Sequence, residues 1–282
     1  MYSRLEFWLS IGPMVALPLI AAVTLMFFSI LVAFRGYPKN SKAARVDTWF
    51  VTRLLIEYWY WLVSPIEKLA VRWNVSPDTI TWVGLFFALA SAPAFATGHM
   101  GLGGWLIIIG GSFDIIDGLV ARAVGRTTTE GAFLDSTLDR LADLATFGGL
   151  AVYYRNTWVM ALVMVALAAT YMVSYTRARG ESLNVECKVG GMQRGERIFF
   201  IGITSALSPM VSLFVETGVS HPVHYLTVGG IGVIAIFGSV TAVIRGVAIY
   251  RELRFRELKK TSNVVDFQSS KLHGQGGAKT LK

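Results

Sequence analysis

Long uncharged stretches separated by short charged ones dominate the pattern of this chain. No Asp, Glu, Lys or Arg occurs in 7–34, 79–113, 156–176, 198–215 or 217–244. A helix needs about 20 apolar residues to cross a bilayer, and about 17 suffice. Each stretch therefore predicts at least one membrane-spanning helix. The stretch 79–113 is too long for one crossing, and the glycine-rich run at 98–104 divides it into two. A further segment, 132–154, carries Asp135, Asp139, Arg140 and Asp143 in its first half and is apolar afterwards. Seven spans result, near 8–34, 80–97, 105–123, 132–154, 156–175, 198–215 and 226–244. The first run exceeds the apolar core of a signal peptide, about 7–15 residues. Arg4 is offset by Glu6, so this run is expected to be retained as a helix.

Between the first two spans, 47–73 is rich in aromatic residues: Trp49, Phe50, Tyr58, Trp59, Tyr60 and Trp61. Interspersed Arg53, Lys68 and Arg72 suit a helix lying in the headgroup plane; a plain amphipathic linker fits the same residues. Ser76-Pro77 is a helix start, with Ser76 as cap and Pro77 at the first position. Beyond about 260 the apolar periodicity fades and the chain ends in a Gly/Lys-containing run, expected to be disordered and to meet anionic lipid through its charges. The chain divides into an extra N-terminal helix with a basic linker (1–46), an interfacial helix (47–75), a transmembrane domain (76–257) and a basic tail (258–282).

Composition agrees: 54% of residues are apolar and 16% charged, against about 25% charged in soluble domains. The fold class is all-α and polytopic. Of the 26 Lys and Arg, one set of alternate connections holds only Arg4 and Arg155, and the other holds all the rest. The net charge of +8 is therefore a positive-inside signal rather than a nucleic-acid footprint. It places the N-terminus outside and the C-terminus in the cytoplasm, in a multi-pass protein of the cell membrane. The single cysteine, Cys187, excludes an intrachain disulfide and a cysteine-based zinc site. His99, His221 and His224 fall toward the outer face and His273 in the tail, so no histidine is placed for catalysis.

The chemistry lies in four intramembrane carboxylates. Each costs about 2.5–3.5 kcal/mol at the centre of a span. Asp114 and Asp117 are three apart and Asp135 and Asp139 four apart, so each pair shares one helix face. Two antiparallel neighbouring helices bring the four together near the cytoplasmic surface. Such a cluster needs cations, and oxygen ligands select hard ones: Mg²⁺ first, with Mn²⁺ or Ca²⁺ as alternatives. Gly118 leaves room beside Asp117 for a ligand, and Arg122, a turn on, suits a bidentate phosphate contact. Gly131 opens the next helix a turn before Asp135. Helix-to-helix Asp–Arg pairs would need a basic partner for every acid, which Arg122, Arg126 and Arg140 do not supply. Asp143, four beyond Asp139, fits either a supporting role or a solvated acid.

The run Asp114-x2-Asp117-Gly118-x2-Ala121-Arg122-x8-Gly131-x3-Asp135-x3-Asp139 resembles the signature of the CDP-alcohol phosphatidyltransferase family. The resemblance covers about 47–257 and implies a six-helix transmembrane bundle of that type, to which the first helix is an addition. It implies that Asp114, Asp117, Asp135 and Asp139 hold two Mg²⁺ ions, with Mn²⁺ as an alternative. Gly118, Ala121, Arg122 and Gly131 would line the nucleotide end of a CDP-diacylglycerol-type lipid. Asp139 would also serve as general base toward an acceptor hydroxyl, with release of CMP. A homodimer is implied as well.

A second polar group comprises Ser174, Arg177, Arg179, Arg194, Arg197 and Arg245. Several arginines facing one cavity suit an anionic acceptor such as a polyol phosphate; positive-inside decoration is the plainer account. The run 131–149 is similar to the inositol-phosphate branch of the family, which implies acceptor-phosphate contacts at Ser174, Arg177, Arg179, Arg197 and Arg245. Arg177 stands where that branch often has Lys. Inositol 1-phosphate is the acceptor this implies, with glycerol 3-phosphate second. A cation channel or transporter is the remaining alternative; it accounts for the acids but not for Gly118, Ala121, Arg122 and Gly131 at their spacing.

Overall fold

A computed structural model describes residues 4–37, 51–187, 189–216 and 222–276. Eight helices occur among the described residues: α1 (Arg4–Arg35), α2 (Arg53–Arg72), α3 (Pro77–Ala96), α4 (Met100–Ala123), α5 (Thr129–Tyr153), α6 (Val159–Ser182), α7 (Arg194–Val215) and α8 (Tyr225–Gly276). Six of them, α1, α3, α4, α6, α7 and α8, include a stretch long and apolar enough to cross a membrane, and the protein is a multi-pass membrane protein. In α5, 25 residues long, the first half carries the acids anticipated for 132–154. It packs on α3 and meets α6.

Local sequence explains the helix starts. The Ser76 hydroxyl accepts from Thr79 N at 3.2 Å with Pro77 at the first position. The Thr128 hydroxyl accepts from Gly131 N at 3.0 Å. Glu196 accepts from Gln193 N at 2.8 Å in a capping box. Gly125, at φ +66°, supplies the left-handed residue that turns α4 toward α5.

Within the bundle, α4 packs on both α3 and α7, and α8 on α6 and α7. Glycines set the closest approaches, as small residues do where lipid leaves helix association to packing. A Cβ on Gly84 would lie 3.1 Å from the Gly110 carbonyl, and one on Gly110 3.0 Å from that of Gly84. Gly104 faces the α7 backbone at Gly202 and Ala206. The main core, built around Phe95, Met100, Leu150, Val163 and Ile231, extends from the aspartate cavity, which its Ile107, Phe147 and Ile201 line, to the opposite end of the bundle. There Tyr153 and Tyr154 donate to the carbonyls of Pro222 and Val223 at 2.6 and 2.7 Å. Such interhelical bonds contribute on average about 0.6 kcal/mol each.

In α2, Glu57 and Glu67 are buried while Trp61, Leu62, Ile66 and Leu69 are exposed, the pattern of a helix whose outward face meets lipid. Its inward side seats Val63 and Ala70 against Ile80, Ile116, Leu119 and Val120. It also holds α1: Tyr58 Oη lies 2.8 Å from Thr24 Oγ1 and donates to the Ala21 carbonyl at 3.3 Å. Phe28 packs against Tyr58 and Trp61, with ring centroids 5.8 and 5.5 Å apart. Lys39, Lys42, Arg45, Trp49 and Phe50 of the linker region, Lys188 and His221 lie outside the described residues.

Past the point where apolar periodicity fades, α8 continues as helix to Gly276. Loss of apolar periodicity removes a packing face, not helix propensity. The stretch after the span is rich in Arg, Glu, Leu and Lys, all good helix formers. Arg256 bonds Glu252 at 2.8 Å one turn earlier and the Asn184 carbonyl at 3.1 Å. Residues 277–282 lie outside the described part.

Candidate active site

Asp114 and Asp117 sit in the second half of α4, and Asp135 and Asp139 in the first half of α5, with a short turn joining the two helices. One carboxylate oxygen from each of Asp114, Asp135 and Asp139 lies within 4.8 Å of the others. Asp117 is buried beside this trio and turned toward α3, where its Oδ2 accepts from Thr81 Oγ1 at 2.7 Å. The structure thus groups three of the four acids directly. Asp114, Asp117 and Asp139 line one cavity, bounded by α3, α4, α5 and α7.

Carboxylates this close repel one another in a poorly solvated site unless positive charge stands between them. Part of that charge comes from the protein. Arg194 Nη1 lies 2.5 Å from Asp114 Oδ1 and 2.6 Å from Asp139 Oδ1, but off the line of a hydrogen bond, and its Nε has no acceptor. Asp135 Oδ1 is buried without a hydrogen-bond partner. A buried carboxylate oxygen with no donor, beside two others within reach of one ion, fits a hard divalent cation.

The glycine positions behave differently from one another. A Cβ on Gly118 would meet Arg122 Nη1 and Nη2 at 3.3 and 3.4 Å, so the space beside Asp117 is filled by the Arg122 guanidinium. Ala121 is half-buried one residue before it. Gly131 lies in a separate, open hollow with Asp78, Thr128 and Glu130. Tyr60 of α2 packs against the same α4 surface; burial pushes its phenol above the ordinary value, and the nearby Arg122 charge works against that.

The six residues of the second polar group part company. Arg197, 3% exposed, lines the aspartate cavity with Arg194. Its Nη1 donates to the Met192 carbonyl and its Nη2 to Asp143 Oδ2, both at 3.2 Å. Arg245 is buried and donates to the carbonyls of Val189 at 2.9 Å and Val173 at 3.1 Å, tying α8 to α6 and to the α6–α7 loop. Arg177 and Arg179 are exposed at the end of α6, where Arg177 pairs with Glu181 at 2.9 Å. Ser174 is half-buried a turn earlier. Sequence reasoning did not reach Thr81, whose hydroxyl within an apolar span carries no signal of its partner. It left Asp143 undecided, although a fifth acid at the i+4 position was a usable cue.

A family model described as CDP-alcohol phosphatidyltransferase matches residues 74–249. A phosphatidylinositol phosphate synthase of Streptomyces avermitilis is 36% identical over 197 residues, 68% of this chain and 79% of that one. An archaetidylinositol phosphate synthase of Methanothermobacter thermautotrophicus is 35% identical over 189 residues, 67% of this chain and 90% of that one. The crystal structure of Mycobacterium tuberculosis phosphatidylinositol phosphate synthase with CDP-DAG bound aligns at a TM-score of 0.57 with 27% identity, covering 67% of this chain and 93% of that one. A second structure of that protein, in complex with manganese and citrate, also aligns at 0.57, covering 66% of this chain and 88% of that one.

Proposed function

The chain belongs to the CDP-alcohol phosphatidyltransferase family, and from that premise we propose that it transfers a phosphatidyl group from a CDP-diacylglycerol-type lipid to a hydroxyl of inositol 1-phosphate, releasing CMP. The observation that carries this reading is the single cavity into which both Asp139 and the buried Arg197 project. A proton acceptor and an anion-binding group lining one cavity are what attack by a phosphorylated alcohol would need.

Asp114, Asp117, Asp135 and Asp139 would hold divalent ions, Mg²⁺ or Mn²⁺. Ions held there would supply positive charge against the negative charge that develops on the leaving phosphate. Arg122, in the last turn of α4, would contact the nucleotide phosphates. Asp139 takes the proton from the acceptor hydroxyl as its oxygen bonds to the lipid-side phosphorus. The bond from that phosphorus to the CMP oxygen breaks, and CMP leaves. The apolar outer walls of α3, α4 and α8 keep the acyl chains in the bilayer throughout. With the basic connections on the cytoplasmic side, the site and C-terminus face the cytoplasm and the N-terminus lies outside. A homodimer belongs to the same reading.

The test is CMP release by the purified full chain in detergent with CDP-diacylglycerol, with inositol 1-phosphate and glycerol 3-phosphate in parallel. Release is expected with Mg²⁺ or Mn²⁺ and inositol 1-phosphate, and is expected to vanish with EDTA. Release with glycerol 3-phosphate alone would keep the reaction and overturn the acceptor. Release undiminished by EDTA would overturn the metal assignment.

A further inference from the structure

We propose that Asp143 is a positioning residue: it holds the Arg197 guanidinium in the orientation that receives the acceptor's phosphate. This rests on the reading that the acceptor is a phosphate ester bound in the aspartate cavity. Asp143 lies four residues beyond Asp139 and shares its face of α5, and both line the cavity with Asp114, Arg194 and Arg197. The Asp143 and Arg197 side chains are 12% and 4% exposed, so water does little of the solvation either charge needs. Asp143 Oδ2 accepts from Nη2 at 3.2 Å and the Met192 carbonyl from Nη1 at 3.2 Å. These two contacts hold both terminal nitrogens of the guanidinium, one from α5 and one from the entry to α7. Nε is left buried with no partner, a donor available to an anion in the cavity. Arg194, a turn earlier on α7, is drawn toward Asp114 and Asp139, which leaves Arg197 as the more settled anion contact.

A counter-charge and a positioning device differ in the sign of their effects. If Asp143 only balanced charge, neutralising it would tighten binding of an anion nearby. If it positions Arg197, the location of its oxygen matters more than its charge. Asp143→Asn keeps an acceptor oxygen in place and loses the charge. Asp143→Glu keeps the charge and moves the oxygen by about one carbon–carbon bond, roughly 1.5 Å.

Calorimetric titration of the metal-loaded full chain with inositol 1-phosphate, and separately with inorganic phosphate, distinguishes the two. Asp143→Glu is expected to weaken both ligands about tenfold, and Asp143→Asn to stay within about threefold of the unsubstituted protein. In an Arg197→Ala background, Asp143→Glu should add nothing further, as expected of residues acting through one contact. Unchanged binding in Asp143→Glu, tighter binding in Asp143→Asn, or losses that multiply in the double variant would overturn the proposal. So would failure of the unsubstituted protein to bind either ligand. In kinetics, Asp143→Glu should raise the acceptor's KM while leaving kcat and the KM for CDP-diacylglycerol near their unsubstituted values. Phosphate binding with the expected pattern but no CMP release would sink the transferase reading and leave this one standing.

Discussion

Asp139→Asn is expected to lower CMP release by about three orders of magnitude, within the range a general base contributes. Asparagine has nearly the same size, so helix α5 and its contacts with α3 and α6 should survive. What it lacks is the ability to accept a proton from the attacking hydroxyl. The Asp139 side chain is only 17% exposed and lies 2.6 Å from Arg194 Nη1, so bulk solvent is poorly placed to take over. Loss of rate has two separable sources, since the same carboxylate would contribute to the metal site. Measuring Mn²⁺ affinity by electron paramagnetic resonance alongside CMP release separates them. A rate loss far larger than the affinity loss supports the base; near-normal turnover would refute it.

Gly104→Ala is expected to destabilise the bundle severely although it adds a single methyl group. Its Cβ would lie 2.6 Å from the Gly202 carbonyl oxygen and 2.9 Å from the Ser205 carbonyl carbon. These are backbone atoms, which cannot rotate aside. Either α4 and α7 part or the substitution is strained, at a cost of about 3 kcal/mol, the upper end of what overpacking produces. At about 2–4 °C per kcal/mol for a domain of this size, the melting transition in detergent should fall by roughly 10 °C. Gly148→Ala is the matched control: nothing lies within 4 Å of its added Cβ, and alanine's better helix propensity gives up to about 1 kcal/mol. Equal melting temperatures for the two variants would refute the close α4–α7 approach. Because α7 carries Arg194 and Arg197, the Gly104 variant should also lose activity.

Local patterns carried much of this architecture. Uncharged stretches located the helices, Ser76-Pro77 marked the start of α3, and the three- and four-residue spacings placed each aspartate pair on one helix face. All of these depend on neighbours within one or two turns. What could not be read was pairing between helices. Thr81 and Asp117 are 36 positions apart, and Asp143 and Arg197 are 54 apart. No periodicity within α5 tells which arginine on α7 will face it. The same limit hid the placement of Arg194 among the carboxylates, and the use of Arg245 to bind the Val173 and Val189 carbonyls. Gly118 was legible as a space but not as to its occupant, because the side chain that fills it is set by a rotamer. The hold of α1 on α2 rests on Thr24 and Tyr58, ordinary residues in aromatic or apolar surroundings.

The length of α8 has a practical corollary. Its 52 residues, at about 1.5 Å each, make a rod of about 78 Å, against a hydrocarbon layer of about 30 Å. About three fifths of that length exceeds what the hydrocarbon layer can hold, and the cytoplasmic part of the excess forms a lever arm. A fluorescent protein or antibody epitope joined after Gly276 would be carried tens of ångströms from the mouth of the cavity. It would make a rigid fiducial for imaging that leaves small-molecule access open.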